Sequence, residues 1–477
     1  MPPLGSPSTA DPTRVPSAPE APAGLGSPYA GYVYSYPHKT AYRPLAPKPA
    51  LRDVWQGQDL SSLFLYLHIP FCEMRCGFCN LFTRTGAPEE LVSRYLDALE
   101  RQALAVREAL PGARFAVGAV GGGTPTYLEA PELERLFTIA TDVMGADLAA
   151  IPLSVETSPA TATPDRLAVL AAHGTTRVSI GVQSFDDAEA RAAGRPQRRA
   201  EVENALAAIR DAAIPELNID LIYGIDGQTR ASWIASIDAA LAWRPEELYL
   251  YPLYVRPLTG LGRRAVTRAD WDADRLALYR VGRDHLRAAG YEQVSMRMFR
   301  RADAVPAIRA DADKAPGTDA STGTAYCCQR DGMVGLGCGA RSYTSDLHYS
   351  FDYAVGIGEV RAIIDEYVAL DQAAFARARV GYRLDASEQR RRHLLTSLLQ
   401  AEGLDTADYR ARFGTQPGAG PGDDFADELS PLADAGLLTA TADRLHLTED
   451  GLAWSDAIGP RLFSARTGAL MDGYRAR

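Results

Sequence analysis

The sequence has no apolar run approaching the roughly 18 residues that a membrane-spanning helix needs, and it has only six cysteines in 477 residues. The first absence excludes an integral helical membrane protein, and the second excludes a disulfide scaffold. An excess of positive charge is missing too: 50 Lys and Arg face 60 Asp and Glu, a net charge of -10. General nucleic-acid binding relies on clustered Lys and Arg to neutralise phosphates, so neither nucleic acid nor membrane is an expected partner. The basic run at 390–392 reads as a solvated helix face. The amino terminus lacks a basic start and an apolar stretch. Its first 27 residues, rich in Pro, Ala, Ser and Gly, read as a disordered tail and not as a signal peptide. The expected location is therefore the reducing cytoplasm, where crowded cysteines point to a metal or to catalysis before a disulfide. No fixed-period internal repeat is present.

What is present is ordinary globular composition, 46% hydrophobic and 23% charged, in a chain long enough for one large domain and a smaller satellite. From about Leu63, short apolar runs alternate with longer Ala/Leu/Arg stretches of helical period, the rhythm of βα units. Strands are expected at 63–68, 115–121, 151–156, 177–182, 217–223 and 247–253. Helices are expected at 88–110, 130–144, 164–173, 200–213 and 229–243. Six such repeats fit either an incomplete (β/α) barrel or a doubly wound sheet, and both gather active residues at the carboxyl ends of the strands. "HIPFC", "GGGTPT", "VETSP", "GVQSF" and "DLIYGIDGQT" sit there. Beyond about Asp385 the order becomes helices, a short strand pair and a helix, a winged-helix-like satellite expected to cover substrate. The expected division is 1–27, 28–384 and 385–477.

Cys72, Cys76 and Cys79 are spaced C-x-x-x-C-x-x-C. Three thiolates on one loop leave a metal centre one ligand short, and an open iron is where a substrate or cofactor binds. Structural zinc wants four ligands, usually in two C-x-x-C pairs, which Cys327, Cys328 and Cys338 do not supply. These three are expected to be small buried hydrophobes. His68 precedes the loop on a strand, where a hydrogen-bonding role is expected before ligation.

This loop, with Phe78 just before the last thiol, resembles the signature of the radical S-adenosylmethionine (SAM) superfamily. "YLHIPFC", "GGGTPTYL", "SVETSP", "RVSIGVQSF", "NIDLIYGIDGQT" and "GLGCGARSY", in this order, are similar to the oxygen-independent coproporphyrinogen III oxidase (HemN)-like family, over residues 32–463, with "YSYP" near the amino terminus. The resemblance implies an α/β fold, a partial (β/α)6 TIM-type barrel with a C-terminal winged-helix-like α/β domain. It implies a 4Fe-4S cluster on Cys72, Cys76 and Cys79 whose free iron chelates SAM, and a 5'-deoxyadenosyl radical after reductive cleavage. It implies a small-molecule substrate and an electron donor such as flavodoxin or ferredoxin.

Site residues carry over by motif. Gly121, Gly122 and Gly123, with Thr124 after them, let the backbone approach SAM's methionyl end. Phe78 lies beside the cluster loop. Glu156 and Asp220 end apolar strands, where a buried carboxylate is costly unless paired; they and Gln183 and Arg195 match positions that contact SAM. Tyr66, Ile222 and Tyr254 match positions near a second SAM. Arg177, at the start of a strand, is expected to pair with a neighbouring carboxylate, and Arg256 to grip an acidic substrate group.

Two departures bear on the reaction. The oxidases carry a fourth cysteine two residues after the third, where this chain has Leu81. Haem-carrying relatives have an "HNxxYW" string, where this chain reads "TGTAYCCQRDG". By elimination the expectation is a two-SAM radical enzyme for carbon methylation, with oxidative decarboxylation of coproporphyrinogen, or haem or cluster trafficking without turnover, as alternatives.

Overall fold

Six strands lie side by side in the computed structural model, which describes residues 24–262, 270–304, 332–414 and 420–474. They are β1 (Leu63–Ile69), β2 (Phe115–Gly122), β3 (Leu153–Thr157), β4 (Arg177–Gln183), β5 (Glu216–Tyr223) and β6 (Glu247–Pro252). All neighbouring pairs are parallel, and the strands follow chain order across the sheet. A doubly wound sheet reverses its order at a switch point. This sheet does not, so the fold is a partial (β/α)6 barrel.

The helices α1 (Glu89–Ala109), α2 (Ala130–Thr138), α3 (Pro164–Ala172), α4 (Arg199–Asp211) and α5 (Arg230–Leu241) return the chain between strands. Each presents apolar residues at helical spacing to the sheet; on α1 these are Leu91, Val92, Tyr95, Leu96 and Leu99. On β1, Leu63, Leu65 and Leu67 are buried while Phe64 and Tyr66 alternate with them and stay half-exposed. Side chains of a strand alternate between faces, so one set packs under the helices and the other lines the lumen.

The barrel is extended, not closed. Beyond β6 come β7 (Tyr291–Gln293) and β8 (Met298–Arg301), antiparallel additions. Beyond β1 comes β9 (Met333–Leu336), parallel to it, then antiparallel β10 (Arg341–Tyr343), β11 (Leu347–Ser350) and β12 (Val380–Arg383). The expected tail lies, for residues 1–23, outside the described residues, as do Cys327, Cys328 and the "TGTAYCCQRD" segment.

The carboxy-terminal unit starts at α7 (Ala386–Leu398), after α6 (Trp271–Ala288) of the barrel. The Asp385 side chain caps α7 by accepting from the Glu388 N–H at 2.9 Å. It continues through β13 (Leu404–Asp405), α8 (Thr406–Phe413), α9 (Ala426–Asp434) and the hairpin β14 (Leu438–Ala440) and β15 (Arg444–Leu447), the winged-helix order. The three strands form one small sheet.

The basic run on α7 is not a solvated face. Arg392 is buried and donates to the Thr344 carbonyl at 3.2 Å, and Arg391 donates to Glu428 at 2.8 Å and the Leu462 carbonyl at 2.7 Å. Arg391 ties elements of the small domain to one another and Arg392 ties that domain to the turn between β10 and β11 of the barrel, roles that a run of like charges does not reveal. Among the described residues no helix is long and apolar enough to cross a membrane.

Candidate functional site

The cysteine loop leaves β1 at Ile69 and is pinned at both ends. Phe71–Cys72 pairs with Arg84–Thr85, and the Arg84 N–H donates to the Pro70 carbonyl at 2.7 Å. Its middle is clamped by two other loops: Gly77 N–H donates to the Gly194 carbonyl at 3.1 Å, and Leu261 N–H to the Gly77 carbonyl at 2.7 Å. Gly194 has φ +70°, and a Cβ there would fall 2.7 Å from the Gly77 Cα. Only glycine allows two backbones to meet at this distance.

Cys72 and Cys76 are buried and Cys79 is half-buried. Thr124 Oγ1 donates to Cys72 Sγ at 3.5 Å, and Arg195 Nη1 donates to Cys76 Sγ at 3.2 Å. Cys79 Sγ lies 3.9 Å from Thr83 Oγ1. Burial pushes the Cys72 thiol up to about 12, against the hydrogen bond from Thr124. Burial also raises Cys76, against the charge of Arg195. Metal ligation reverses such shifts, because a coordinated thiol is deprotonated outright. Among the described residues no three of His, Cys, Asp and Glu converge closely enough to hold one metal ion.

Gly123 is packed against this loop: a Cβ there would meet the Phe71 carbonyl oxygen at 2.5 Å and Cys72 Sγ at 2.9 Å. Gly122, φ +115°, faces the His68 ring, and its N–H donates to Glu156 Oε2 at 3.0 Å. His68 hydrogen-bonds through Nδ1 to the Tyr66 hydroxyl at 3.2 Å, and burial holds its ring down to about 3, so it is neutral.

Glu156 is enclosed by protein yet open to solvent, which places it on the wall of the lumen. This enclosure raises its carboxyl to about 7, against the Gly122 N–H and with a further push from Asp220. Asp220, two strands away, is raised to about 6 by burial, against the Asn218 amide, which donates to it at 2.7 Å, and the charge of Arg177. Arg177 itself donates to Glu247 at 2.7 Å and Ser154 at 2.9 Å, the carboxylate pairing expected of it. Gln183 stands at a bulge between β4 and β5 with φ +69°, a strained conformation for a residue with a side chain, of the kind concentrated at ligand sites. Arg195 is buried, held by Gln197 at 2.9 Å.

Phe78 packs on an apolar group that contains Ala193, Ile222, Ile225 and Leu253. Cys72, Thr124, Gly123, Gly122 and Glu156 are thus joined by direct contact, with Cys76, Cys79 and Arg195 joined to one another on the same loop, while Tyr254 bonds to the carboxy-terminal unit. Its hydroxyl donates to Asp456 of the carboxy-terminal unit and accepts from Arg297 at 3.2 Å. Cys338 is buried beside Tyr95, a small core residue as expected.

Sequence reasoning missed the tyrosines that line the remaining wall. Tyr32 packs on Tyr34 and Tyr251, with ring centroids 5.6 and 6.4 Å apart, and Tyr251 stacks on Tyr249 at 5.7 Å. The segment around "YSYP" lays Tyr32 against Tyr251 of β6, and the aromatic richness of both segments was the available signal.

The chain was compared with known proteins over its whole length. Residues 66–240 match the family model of the radical SAM superfamily, and residues 384–454 match the HemN C-terminal domain. The chain thus carries a radical SAM domain followed by a HemN-type carboxy-terminal domain. Among curated relatives, the heme chaperone HemW of Bacillus subtilis is 25% identical over 411 residues, 85% of this chain and 99% of its own length. The oxygen-independent coproporphyrinogen III oxidase of Escherichia coli is 28% identical over 82% of each chain. That of Paracoccus denitrificans is 34% identical over 56% of this chain and 60% of its own. The solved structure of coproporphyrinogen III oxidase (HemN) from Escherichia coli superposes with a TM-score of 0.73 at 24% identity, over 90% of this chain and 96% of that one. The fold is therefore shared along nearly the whole chain.

Proposed function

We propose that this chain holds a 4Fe-4S cluster on Cys72, Cys76 and Cys79, binds SAM beside it, and performs oxidative chemistry of the coproporphyrinogen oxidase type on a small-molecule substrate. When bound, the cluster supplies the electron that cleaves SAM to methionine and a 5'-deoxyadenosyl radical. The observation that carries the reading is the continuous contact from Cys72 through Thr124 and Gly123 to Gly122 and Glu156. It brings the donor set and a titratable carboxylate to one end of the lumen. The donor set fits the cluster: three thiols on one clamped loop, with hydrogen-bond donors aimed at two of the sulfurs. Such donors stabilise thiolate charge and tune the centre.

The remaining residues divide the work. Glu156 and Asp220, deprotonated, suit an ammonium or ribose hydroxyls, and Gln183, held at positive φ on the bulge beside β5, would offer its amide to the same ligand. Gly122 and Gly123 keep the backbone close to the ligand. Phe78 and Ile222 supply an apolar wall that keeps water from a radical. Oxidases and a haem chaperone are the relatives that support this reading. The expectation of carbon methylation by a second SAM finds no support among them. It rested on elimination from two departures, Leu81, an exposed side chain where the oxidases have a cysteine, and the lack of the haem carriers' "HNxxYW" string.

The test is anaerobic turnover of reconstituted protein with SAM, dithionite and coproporphyrinogen III. Carbon dioxide with a matching loss of substrate mass is the expected result. S-adenosylhomocysteine with a gain of mass would move the assignment to methylation. Haem uptake with no SAM cleavage would move it to a carrier.

A further inference from the structure

The lumen holds two kinds of cation. Arg177 and Arg297 each meet a carboxylate, Glu247 and Asp456 respectively. Lys39, Arg256 and Arg341 do not: among the described residues no carboxylate lies within ion-pair distance of any of them. Their neighbours are rings and hydroxyls. Lys39 Nζ stands 3.7 Å from the centroid of the Tyr353 ring and 5.8 Å from that of Tyr34. The Arg341 guanidinium lies 4.8 Å from the same Tyr34 ring and donates to Ser35 Oγ at 3.0 Å. Arg256 lies 4.7 Å over Tyr254.

The three cations share one space. All three bear on His38, which burial and their combined charge hold down to about 3 and hence neutral. Burial alone would raise the Tyr34 phenol, yet Lys39 and Arg341 outweigh it and the group is lowered. The space adjoins the cluster loop: the Tyr353 hydroxyl donates to the carbonyl of Asn80 at 3.1 Å, and Lys39 feels the charge of Cys79. Arg341 and Glu156 both act on the Tyr66 phenol, the first lowering and the second raising it, so a cation and a carboxylate border the same ring of β1. Lys39, Arg256 and Arg341 are half-buried and solvent reaches each one. Among the described residues these charges meet no carboxylate, and enclosed charge without a counter-charge is costly, which favours an anion in the space they border. The guanidinium fork of Arg341 suits a planar carboxylate.

We propose that Lys39, Arg256 and Arg341 form an anion-binding subsite beside the Cys79 end of the cluster loop, which takes carboxylate groups of the substrate. This rests on the catalytic reading only for the word substrate. Carboxylate chemistry has a second source here, the α-carboxylate of SAM, and the test separates the two.

Reconstituted protein is titrated with coproporphyrin III, a tetracarboxylate, and with its uncharged tetramethyl ester, by quenching of intrinsic fluorescence. SAM affinity is measured by equilibrium dialysis on the same samples, and 5'-deoxyadenosine formation is followed separately. The subsite predicts that the acid binds at least about tenfold tighter than the ester, that Lys39→Met and Arg341→Met each weaken the acid by about tenfold, and that SAM affinity holds. A tenfold change corresponds to about 1.4 kcal/mol, a modest share of a charge-assisted contact. Equal binding of acid and ester by the parent, or no binding of the acid, overturns the subsite without reference to any variant. Loss of SAM affinity in both variants with the acid unaffected assigns the cations to SAM and overturns the substrate assignment. If the parent makes no 5'-deoxyadenosine while the acid is still preferred through Lys39 and Arg341, the catalytic reading falls and the anion subsite stands.

Discussion

Single residues decide whether this site can form. Gly194→Ala puts a Cβ at positive φ against the Gly77 backbone, where no flexible side chain can yield. The expected outcome is a chain that folds but retains well under half the iron and sulfide of the parent after reconstitution, as read by iron and sulfide assay. Glu156 makes a pH prediction. Its carboxyl is raised from 4.5 to about 7 in the folded chain, so the native state holds a proton that the unfolded state has lost. Stability therefore falls as pH rises between about 4.5 and 7. Because solvent reaches Glu156, the effect is a fraction of that shift. Glu156→Gln, in the cluster-free chain, is expected to melt about 1–2 °C above the parent at pH 8 and with it at pH 4.5. The ligand side has the opposite sign: SAM affinity of the parent is expected to rise by up to about tenfold from pH 6 to 8, as the carboxylate becomes available. The thiols, the glycines and Glu156 were legible in sequence because motif spacing is local. Lys39 and Arg341 were not, since a lone Lys and a lone Arg 302 positions apart carry no sign that one tyrosine lies between them.

Among the elements, the parallel strands were the most legible. Short runs of apolar and β-branched residues between helices of clear period read as strands, and the observed strands begin and end within about two residues of expectation. What periodicity could not decide was closure, because the choice between barrel and doubly wound sheet lies in strand order and not in any one strand. The bulge at Gln183 was also hidden, being a register shift between two strands. Relieving it by Gln183→Gly is expected to leave the melting temperature unchanged or raise it, worth up to about 1 kcal/mol, while SAM affinity falls severalfold; equilibrium dialysis beside a melt checks both. At the joint between barrel and satellite, Arg297 and Asp456 are almost wholly buried, and removing one partner strands the other charge. Arg297→Met alone is expected to cost about 3–5 kcal/mol in denaturant unfolding, and the pair Arg297→Met with Asp456→Leu to recover much of it. The basic run on α7 was misread for a related reason: Arg391 and Arg392 find their partners on α9 and at carbonyls far along the chain, which composition cannot show.

At the scale of the molecule, charge is sorted in the lumen although the chain as a whole is acidic. Carboxylates that can meet an ammonium or ribose stand on β3 and β5, and cations that can meet a carboxylate stand on the "YSYP" segment, on β10 and after β6. The cluster loop lies at the edge of both. The barrel brings the first group together and its extensions, contributed from both ends of the sequence, bring the second, which is why the substrate side was the less legible half. The most direct test of the central claim is 5'-deoxyadenosine, measured by chromatography after anaerobic reconstitution with iron and sulfide and reduction with dithionite in the presence of SAM, for the parent and for Cys76→Ala. The account predicts 5'-deoxyadenosine and methionine from the parent and loss of both, to at most a few per cent, in the variant. Equal formation by the two proteins, or none from a parent that carries its cluster, would contradict it.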